Sequence, residues 1–114
     1  MPQLFGINNC DTVKKAKRWL TANHVHFDFH DFRVDGLTEQ QVQQWVAHVG
    51  WEALLNKRST TWRQLSEAQK QDCTEQTVIA LLCEHPTLIK RPVLQHIDTV
   101  LVGFKAETYQ RCFQ

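Results

Sequence analysis

The N-terminal third of the chain is constrained by a short apolar run that passes directly into a helical repeat. Residues 3–7 predict a strand, and Val13, Ala16 and Leu20 follow at the i, i+3, i+7 spacing of one helix face. Residues 27–32 then alternate apolar and polar side chains, which predicts a second strand. A strand, a helix and a strand in this order favour a parallel pair with a right-handed crossover.

A mostly helical block follows the second predicted strand. Asp35-Gly36 is a turn signal, and both Thr38 with Gln41 and Ser66 with Gln69 have the spacing of a capping box at a helix start. The helical pattern continues at Val42, Trp45, Val46 and Val49 up to Gly50, at Trp51, Leu54 and Leu55, and over residues 75–85.

The final third of the sequence changes from helical to strand-like patterning. Residues 93–97 and 100–104 are β-rich runs separated by Asp98-Thr99, which predicts an antiparallel hairpin. Ala106, Tyr109 and Phe113 then mark a closing amphipathic helix. The element order β-α-β, helical block, β-β-α predicts an α/β (α+β) fold: a four-stranded mixed sheet with helices on both faces.

Composition excludes several classes of protein. The chain has 114 residues, which suits one domain. Its net charge of +1 and isoelectric point near 7.7 give no electrostatic reason to expect nucleic acid or a membrane surface as a partner. The N-terminal residues do not resemble a secretory signal, and no run approaches the length needed to span a bilayer. A cytoplasmic location is therefore expected.

The four cysteines lie at wide and irregular spacings. They are Cys10, Cys73, Cys83 and Cys112. Val13 stands where a second cysteine of a Cys-x-x-Cys motif would be, and nothing has the spacing of a zinc site. Cys83 lies in an apolar run and is expected to be a small buried side chain. Cys73 and Cys112 lie among polar residues and are expected at surface or half-buried positions.

Cys10 is the leading candidate for chemistry, because it lies where the first predicted strand meets the first helix. The free N–H groups of a helix's first turn and the positive end of its macrodipole favour the thiolate over the thiol. The thiolate is the reactive form, so the sequence predicts thiol chemistry at Cys10. By contrast, His24, His26 and His30 are close in sequence but have no cysteine near them, so no metal site is expected.

Two segments carry a resemblance to a known family. Leu4-Phe5-Gly6-Ile7-Asn8-Asn9-Cys10 and Leu88-Ile89-Lys90-Arg91-Pro92-Val93 resemble motifs of the ArsC/Spx family of the thioredoxin-fold superfamily, and most closely its YffB-like branch; residues 51–58 resemble a third family segment. The resemblance implies a single thioredoxin-like domain over residues 1–114 with a helical insert at about 37–88. It also implies a cis peptide bond before Pro92, near the reactive cysteine.

The same resemblance implies a glutathione-dependent thiol or disulfide reductase with Cys10 as its single nucleophile. Arg91 is then a catalytic residue that also binds glutathione, and Pro92 shapes the backbone groove beside it. The other residues implied to bind substrate or glutathione are Asn8, Asn9, Lys57, Arg58 and Lys105. Glutathione enters as a co-substrate, no cofactor is tightly bound, and glutaredoxin is a further implied partner.

Departures from the family pattern leave two alternatives open. The family's arsenate reductases have a histidine four residues before the cysteine, where this chain has Gly6, and arginines where it has Asn56 and Lys105. Lysine keeps the charge but not the bidentate donor geometry of arginine. One alternative is therefore an arsenate reductase with an altered arginine set. The other is a non-enzymatic binding module that regulates transcription, as the Spx-like relatives do.

Overall fold

The computed structural model describes all residues from Met1 to Gln114. In chain order its elements are β1 (Gln3–Gly6), α1 (Asp11–Ala22), β2 (Asp28–Asp31), α2 (Phe32–Asp35), α3 (Glu39–Val49), α4 (Trp51–Leu54), α5 (Thr60–Gln64), α6 (Glu67–Gln71), α7 (Glu75–Glu84), a 3-10 turn (Pro86–Leu88), β3 (Val93–His96), β4 (Thr99–Val102) and α8 (Ala106–Cys112). The chain folds into two units, residues 1–36 with 91–114, and residues 37–90.

The first unit contains the predicted four-stranded mixed sheet, in the order β2-β1-β3-β4. β1 and β2 pair in parallel, as expected for a β-α-β unit, whereas β1 with β3 and β3 with β4 pair antiparallel. The carboxyl ends of β1, β2 and β4 therefore lie at the same end of the sheet as the start of β3. We call this the Cys10 end, and we call the opposite end, where β3 turns into β4, the hairpin end.

The core of the first unit joins the sheet to the two helices that flank it. The predicted apolar face of α1 is completely buried, with Val13, Ala16 and Leu20 at zero exposure. Leu4 of β1, Leu94 of β3 and Tyr109 of α8 complete the buried cluster with Ala16 and Leu20. Buried apolar area of this kind is the main stabilising contribution in a domain of this size.

Gly6, at the carboxyl end of β1, permits the close approach of α1 to the sheet. A Cβ atom at Gly6 would lie 2.7 Å from a γ-methyl carbon of Val13, which is closer than side chains come in folded proteins. Val13 has a stiff β-branched side chain and no exposed surface, so it has little room to move away.

The second unit is helical and begins its helices with the capping boxes that the sequence predicts. Thr38 accepts a hydrogen bond from the backbone N–H of Gln41 and starts α3, and Ser66 accepts one from Gln69 and starts α6. α3 ends at Gly50, again as predicted. Its inner face is made by Val42, Trp45 and Val46, all buried.

Three local predictions were wrong or incomplete. Phe32 does not extend the second strand but begins α2, because the side chain of Asp31 accepts a hydrogen bond from the backbone N–H of Arg33 and caps a helical turn. The hairpin turn lies at Ile97-Asp98 rather than at Asp98-Thr99, since His96 pairs with Thr99. The short helix α5, capped by Ser59, was not predicted.

None of the helices is long and apolar enough to cross a membrane. All four cysteines are free thiols and all are partly exposed. Cys83 is therefore half-buried rather than fully buried, which corrects the expectation from its apolar run. Cys73 and Cys112 are also half-buried, within the range that the sequence predicts for them.

Candidate functional site

Cys10 occupies the N-cap position of α1, the place that the sequence predicts for it. Its backbone is extended, with φ −126° and ψ 127°, and its carbonyl oxygen accepts the first helical hydrogen bond, from the N–H of Lys14 at 3.0 Å. The sulfur itself makes no capping hydrogen bond, and the residue is partly exposed. Cys10 is therefore a partly exposed residue at the positive end of a helix of three turns.

Two side chains from neighbouring elements hold the loop that precedes Cys10. The backbone N–H of Asn8 donates to Oδ2 of Asp31, at the end of β2, over 3.0 Å. The side-chain oxygen of Asn8 accepts from Nζ of Lys17, on α1, at 2.7 Å. The same ammonium group lies 3.6 Å from the ring centroid of Phe29. We call this arrangement the Asn8 clamp.

Asp31 is ionised more readily than an ordinary aspartate. Partial burial acts to raise its pKa, but hydrogen bonds from the backbone N–H groups of Arg33, Asn8 and Val34 and the charge of Arg33 outweigh that effect. The net result is a pKa below the usual value. One carboxylate thus caps α2 and fixes the loop before Cys10 at the same time.

The family resemblance predicts Asn8 as a substrate-binding residue, whereas nothing in the sequence indicates the contacts that Asp31 and Lys17 make with it. In the structure the Asn8 side chain is already engaged by Lys17, while Asn9 is exposed. The partner of the Asn8 backbone lies 23 residues away in sequence, so no local pattern indicates it. The only available signal was the parallel pairing of β1 with β2, which brings their carboxyl ends together.

Arg91 and Pro92 lie at the Cys10 end of the sheet. The peptide bond between them is cis, as the resemblance implies. Pro92 directly precedes Val93, which pairs with Phe5, so the register places Pro92 beside Gly6, which lies four residues before Cys10. Pro92 is buried and its carbonyl oxygen accepts from the N–H of Gly103 at 2.9 Å, whereas Arg91 is partly exposed.

Lys105 is the remaining candidate in the first unit. It is exposed and forms the N-cap of α8, shortly after β4. Since β4 runs in the same direction as β1, Lys105 follows the Cys10 end of the sheet. The topology therefore brings Cys10, Arg91, Pro92 and Lys105 to one end of the first unit.

Lys57 and Arg58 belong to the second unit. There they line a cavity of about 260 Å³ together with Glu52, Leu55, Asn56 and Lys90. Asn56 shapes this cavity, because its side-chain oxygen accepts from the N–H of Arg58 at 3.0 Å and its own N–H donates to the Leu88 carbonyl at 2.7 Å. The lining holds three cationic side chains against the one carboxylate of Glu52, and this net positive charge favours an anionic group.

The other cysteines differ from Cys10 in their surroundings. Burial raises the pKa of Cys83, with a smaller contribution from the carboxylate of Glu39, and burial alone raises the pKa of Cys112. The thiol of Cys73 donates to the Lys70 carbonyl at 3.2 Å. Burial therefore favours the neutral and less reactive thiol at Cys83 and Cys112.

The sequence-adjacent histidines do not gather into a metal site. His30 donates from Nε2 to the Gly36 carbonyl oxygen at 2.6 Å and packs against the ring of Phe5. His24 and His26 line a separate cavity with Thr21, Val25 and Phe27. No group of three or more histidine, cysteine or acidic side chains in the chain is arranged to hold a metal ion.

Comparison with known proteins places this geometry in a family. A protein of Haemophilus influenzae described as uncharacterized is 45% identical over 113 residues, covering 99% of both sequences. The solved structure described as YFFB (PA3664) superposes with a TM-score of 0.95 at 43% identity, covering 97% of each chain. The global transcriptional regulator Spx of Streptococcus agalactiae is 24% identical, covering 94% of this chain and 79% of the relative.

The family model extends over almost all of the elements described above. It matches residues 5–112, from β1 through the end of α8. That range includes the cysteine at the start of α1, the cis Arg91–Pro92 bond, the second half of β1 and the whole of the other three strands. The resemblance and the fold predicted from sequence are therefore both confirmed, and the chain belongs to the ArsC family, with a thioredoxin-like fold.

Proposed function

We propose that this protein is a glutathione-dependent thiol reductase that uses Cys10 as its single nucleophile. The observation that carries the proposal is the position of Cys10: a partly exposed thiol at the N-cap of α1, at the same end of the sheet as Arg91 and Pro92. All four cysteines are free thiols, which is typical of proteins in a reducing compartment, and we propose that this protein is cytoplasmic.

The chemistry is two successive thiol–disulfide exchanges. The Cys10 thiolate attacks the glutathione sulfur of a mixed disulfide, the S–S bond breaks, and the substrate thiolate leaves and takes up a proton. A second glutathione, as thiolate, then attacks the Cys10–glutathione disulfide, which releases oxidised glutathione and restores Cys10. An external thiol is required because the residue three positions on is Val13, which is completely buried.

The neighbouring residues have binding roles in this scheme. The Arg91 guanidinium holds an anionic end of glutathione, and the backbone before Pro92 pairs with the extended peptide. Lys105 adds positive charge at the same end of the sheet, and Asn9 lies exposed in the loop before Cys10. The cationic cavity of Lys57 and Arg58 is the second anion-attracting surface of the scheme. Glutaredoxin is a further candidate partner.

The test is mass spectrometry after incubation with oxidised glutathione. We expect one glutathione adduct, located on Cys10 by peptide mapping, and we expect Arg91→Ala to slow its formation at least about fivefold. A variant with Cys73, Cys83 and Cys112 all changed to serine is the matched control and keeps the adduct. Adducts spread evenly over the four cysteines, or no effect of Arg91→Ala, would contradict the proposal.

A second measurement compares the thiols within one molecule. At neutral pH we expect iodoacetamide to modify Cys10 faster than Cys83 or Cys112, because burial raises the pKa of the latter two thiols. The rates are read for each site in a single digest, so concentration and folding are the same for all. Faster modification of Cys112 than of Cys10 would remove Cys10 as the nucleophile.

A second candidate function is suggested by the similarity to Spx, a named transcriptional regulator. A binding module of this kind would keep its biological effect when Cys10→Ser abolishes thiol exchange, whereas a reductase would lose it. Arsenate reduction is less well supported. The histidine of the family's arsenate reductases would stand at Gly6, where even a Cβ atom would meet Val13 at 2.7 Å.

A further inference from the structure

The exposed side of α1 carries three positive charges that form no ion pair within the fold. Lys14, Lys15 and Arg18 are all exposed, and none of them forms an ion pair or a hydrogen bond with another side chain. Arg18 follows Lys14 by four residues and Lys15 by three. At these spacings the three side chains share one surface of the helix. We call this surface the α1 basic face.

Lys17, on the same helix, differs from these three residues because its side chain makes contacts within the fold. It is half-buried, its ammonium group donates to Asn8 at 2.7 Å and it lies over the ring of Phe29. The three residues of the α1 basic face have no comparable contacts. Their positive charges therefore stabilise no other part of the folded chain through an ion pair or hydrogen bond.

The distribution of charge along α1 also opposes the stability of the helix. Cations stabilise a helix near its carboxyl end, yet the last turn of α1 contains none and its cations begin at Lys14, in the first half. Like charges three and four residues apart repel by about 0.2–0.5 kcal/mol per pair. Only Asp11, in the first turn, has the sign that the helix dipole favours.

The α1 basic face begins beside Cys10 but extends beyond the reach of a small substrate. Arg18 lies eight residues after Cys10, which is about 12 Å along the helix axis at 1.5 Å per residue. In the proposed function, a glutathione joined to Cys10 is directed towards Arg91, just before β3, and not along α1. A macromolecular substrate, in contrast, can contact Cys10 and Arg18 at the same time.

We propose that the α1 basic face docks an acidic surface of a protein substrate, whose glutathionylated cysteine is the disulfide that Cys10 attacks. This inference rests on the proposed function and names its substrate class. The exchange is the one given above: the Cys10–glutathione bond forms, the protein–glutathione bond breaks, the protein thiolate takes up a proton, and a second glutathione regenerates Cys10 as oxidised glutathione leaves. Charge complementarity raises the rate of encounter with an acidic partner.

The test compares two synthetic peptides of the same length, each with one glutathionylated cysteine, flanked by glutamates in one and by lysines in the other. The mixed disulfide of glutathione with 2-mercaptoethanol serves as the small substrate. We expect kcat/KM for the acidic peptide to exceed that for the basic peptide at least about tenfold at low salt, and the difference to shrink as ionic strength rises. The small substrate is expected to show little salt dependence.

The decisive variant is K14E/K15E/R18E, which reverses the three charges of the α1 basic face. We expect it to lose the preference for the acidic peptide while turning over the small substrate within about twofold of the original rate. The control is R63E/R111E, which reverses two exposed charges outside α1 and is expected to keep the preference. Equal rates for both peptides, or the same loss in both variants, would overturn the proposal.

A binding measurement separates this inference from the proposed function. The acidic peptide with serine in place of its cysteine is labelled, and its fluorescence anisotropy is followed on addition of protein at low salt. Binding that K14E/K15E/R18E weakens at least about tenfold supports docking even if no substrate is turned over. Absence of binding overturns the docking surface even if the small substrate is reduced.

Discussion

The two ends of the sheet in the first unit are built in different ways. At the Cys10 end, Asp31 and Lys17 hold the loop at Asn8, and Gly103 donates to the carbonyl of Pro92. At the hairpin end, Ile97 is 82% exposed and has a positive φ of 54°, a conformation that β-branched residues rarely adopt. Hydrogen bonds between separate elements therefore support the end that carries Cys10, while backbone strain remains at the end where no candidate site residue lies.

The largest effect is expected from Gly6→Ala, at the Cys10 end. The new methyl group meets the γ-methyl carbon of Val13 at 2.7 Å, and both residues are buried, so we expect a loss of about 2 kcal/mol in the free energy of unfolding. Urea unfolding followed by tryptophan fluorescence measures the change.

The control for this prediction is the same substitution in a Val13→Ala background. Removing the γ-methyl groups relieves the contact, so Gly6→Ala is expected to cost less there than in the original protein. Equal costs in the two backgrounds would show that the close approach of α1 to β1 does not limit the residue at position 6.

At the hairpin end we expect a substitution to raise the free energy of unfolding rather than to lower it. Ile97→Asn places a residue that tolerates a positive φ at the strained position, and should raise the free energy of unfolding by about 1 kcal/mol. Val34→Asn is the matched control, because Val34 is 80% exposed but lies in α2 without a positive φ. If both substitutions change stability equally, exposure rather than backbone strain accounts for the effect.

The same comparison explains which features could be predicted from sequence. The capping boxes at Thr38 and Ser66 involve side chains and backbone groups three residues apart, so they are visible in the sequence and were confirmed. The β-α-β order and the hairpin follow from apolar spacing in the same way. The position of Cys10 at the start of α1 is likewise local, and it was correctly predicted.

The errors have two kinds of cause. The alternation through Phe32 favours a strand, but the side chain of Asp31 caps α2 through the N–H of Arg33, and this local signal competes with the alternation. The hydrogen bond from the N–H of Asn8 to Asp31 joins residues 23 positions apart, so no local pattern indicates it. The turn at Ile97 could not be predicted, because an isoleucine with positive φ contradicts the local preference and is imposed by the pairing of His96 with Thr99. The Asn8 clamp could not be predicted either, because it joins side chains and backbone groups from separate elements.

The smallest expected effect tests that clamp through its pH dependence. The pKa of Asp31 lies below its ordinary value in the folded protein, so its carboxylate stabilises the fold at pH above the unfolded pKa. That contribution is lost as the pH falls through the folded pKa. Asp31→Asn should therefore be slightly less stable than the original protein at neutral pH, and the difference should close on acidification.

Asp28→Asn provides the control, because Asp28 lies at the other end of β2 and does not contact Asn8. Glutathione adduct formation at Cys10 gives a second readout. We expect Asp31→Asn to slow it and Asp28→Asn to leave it unchanged, since only the former loosens the loop before Cys10. A stability difference that persists undiminished in acid would mean that Asp31 acts through packing rather than through its charge, and the Asn8 clamp would then not depend on the ionised carboxylate.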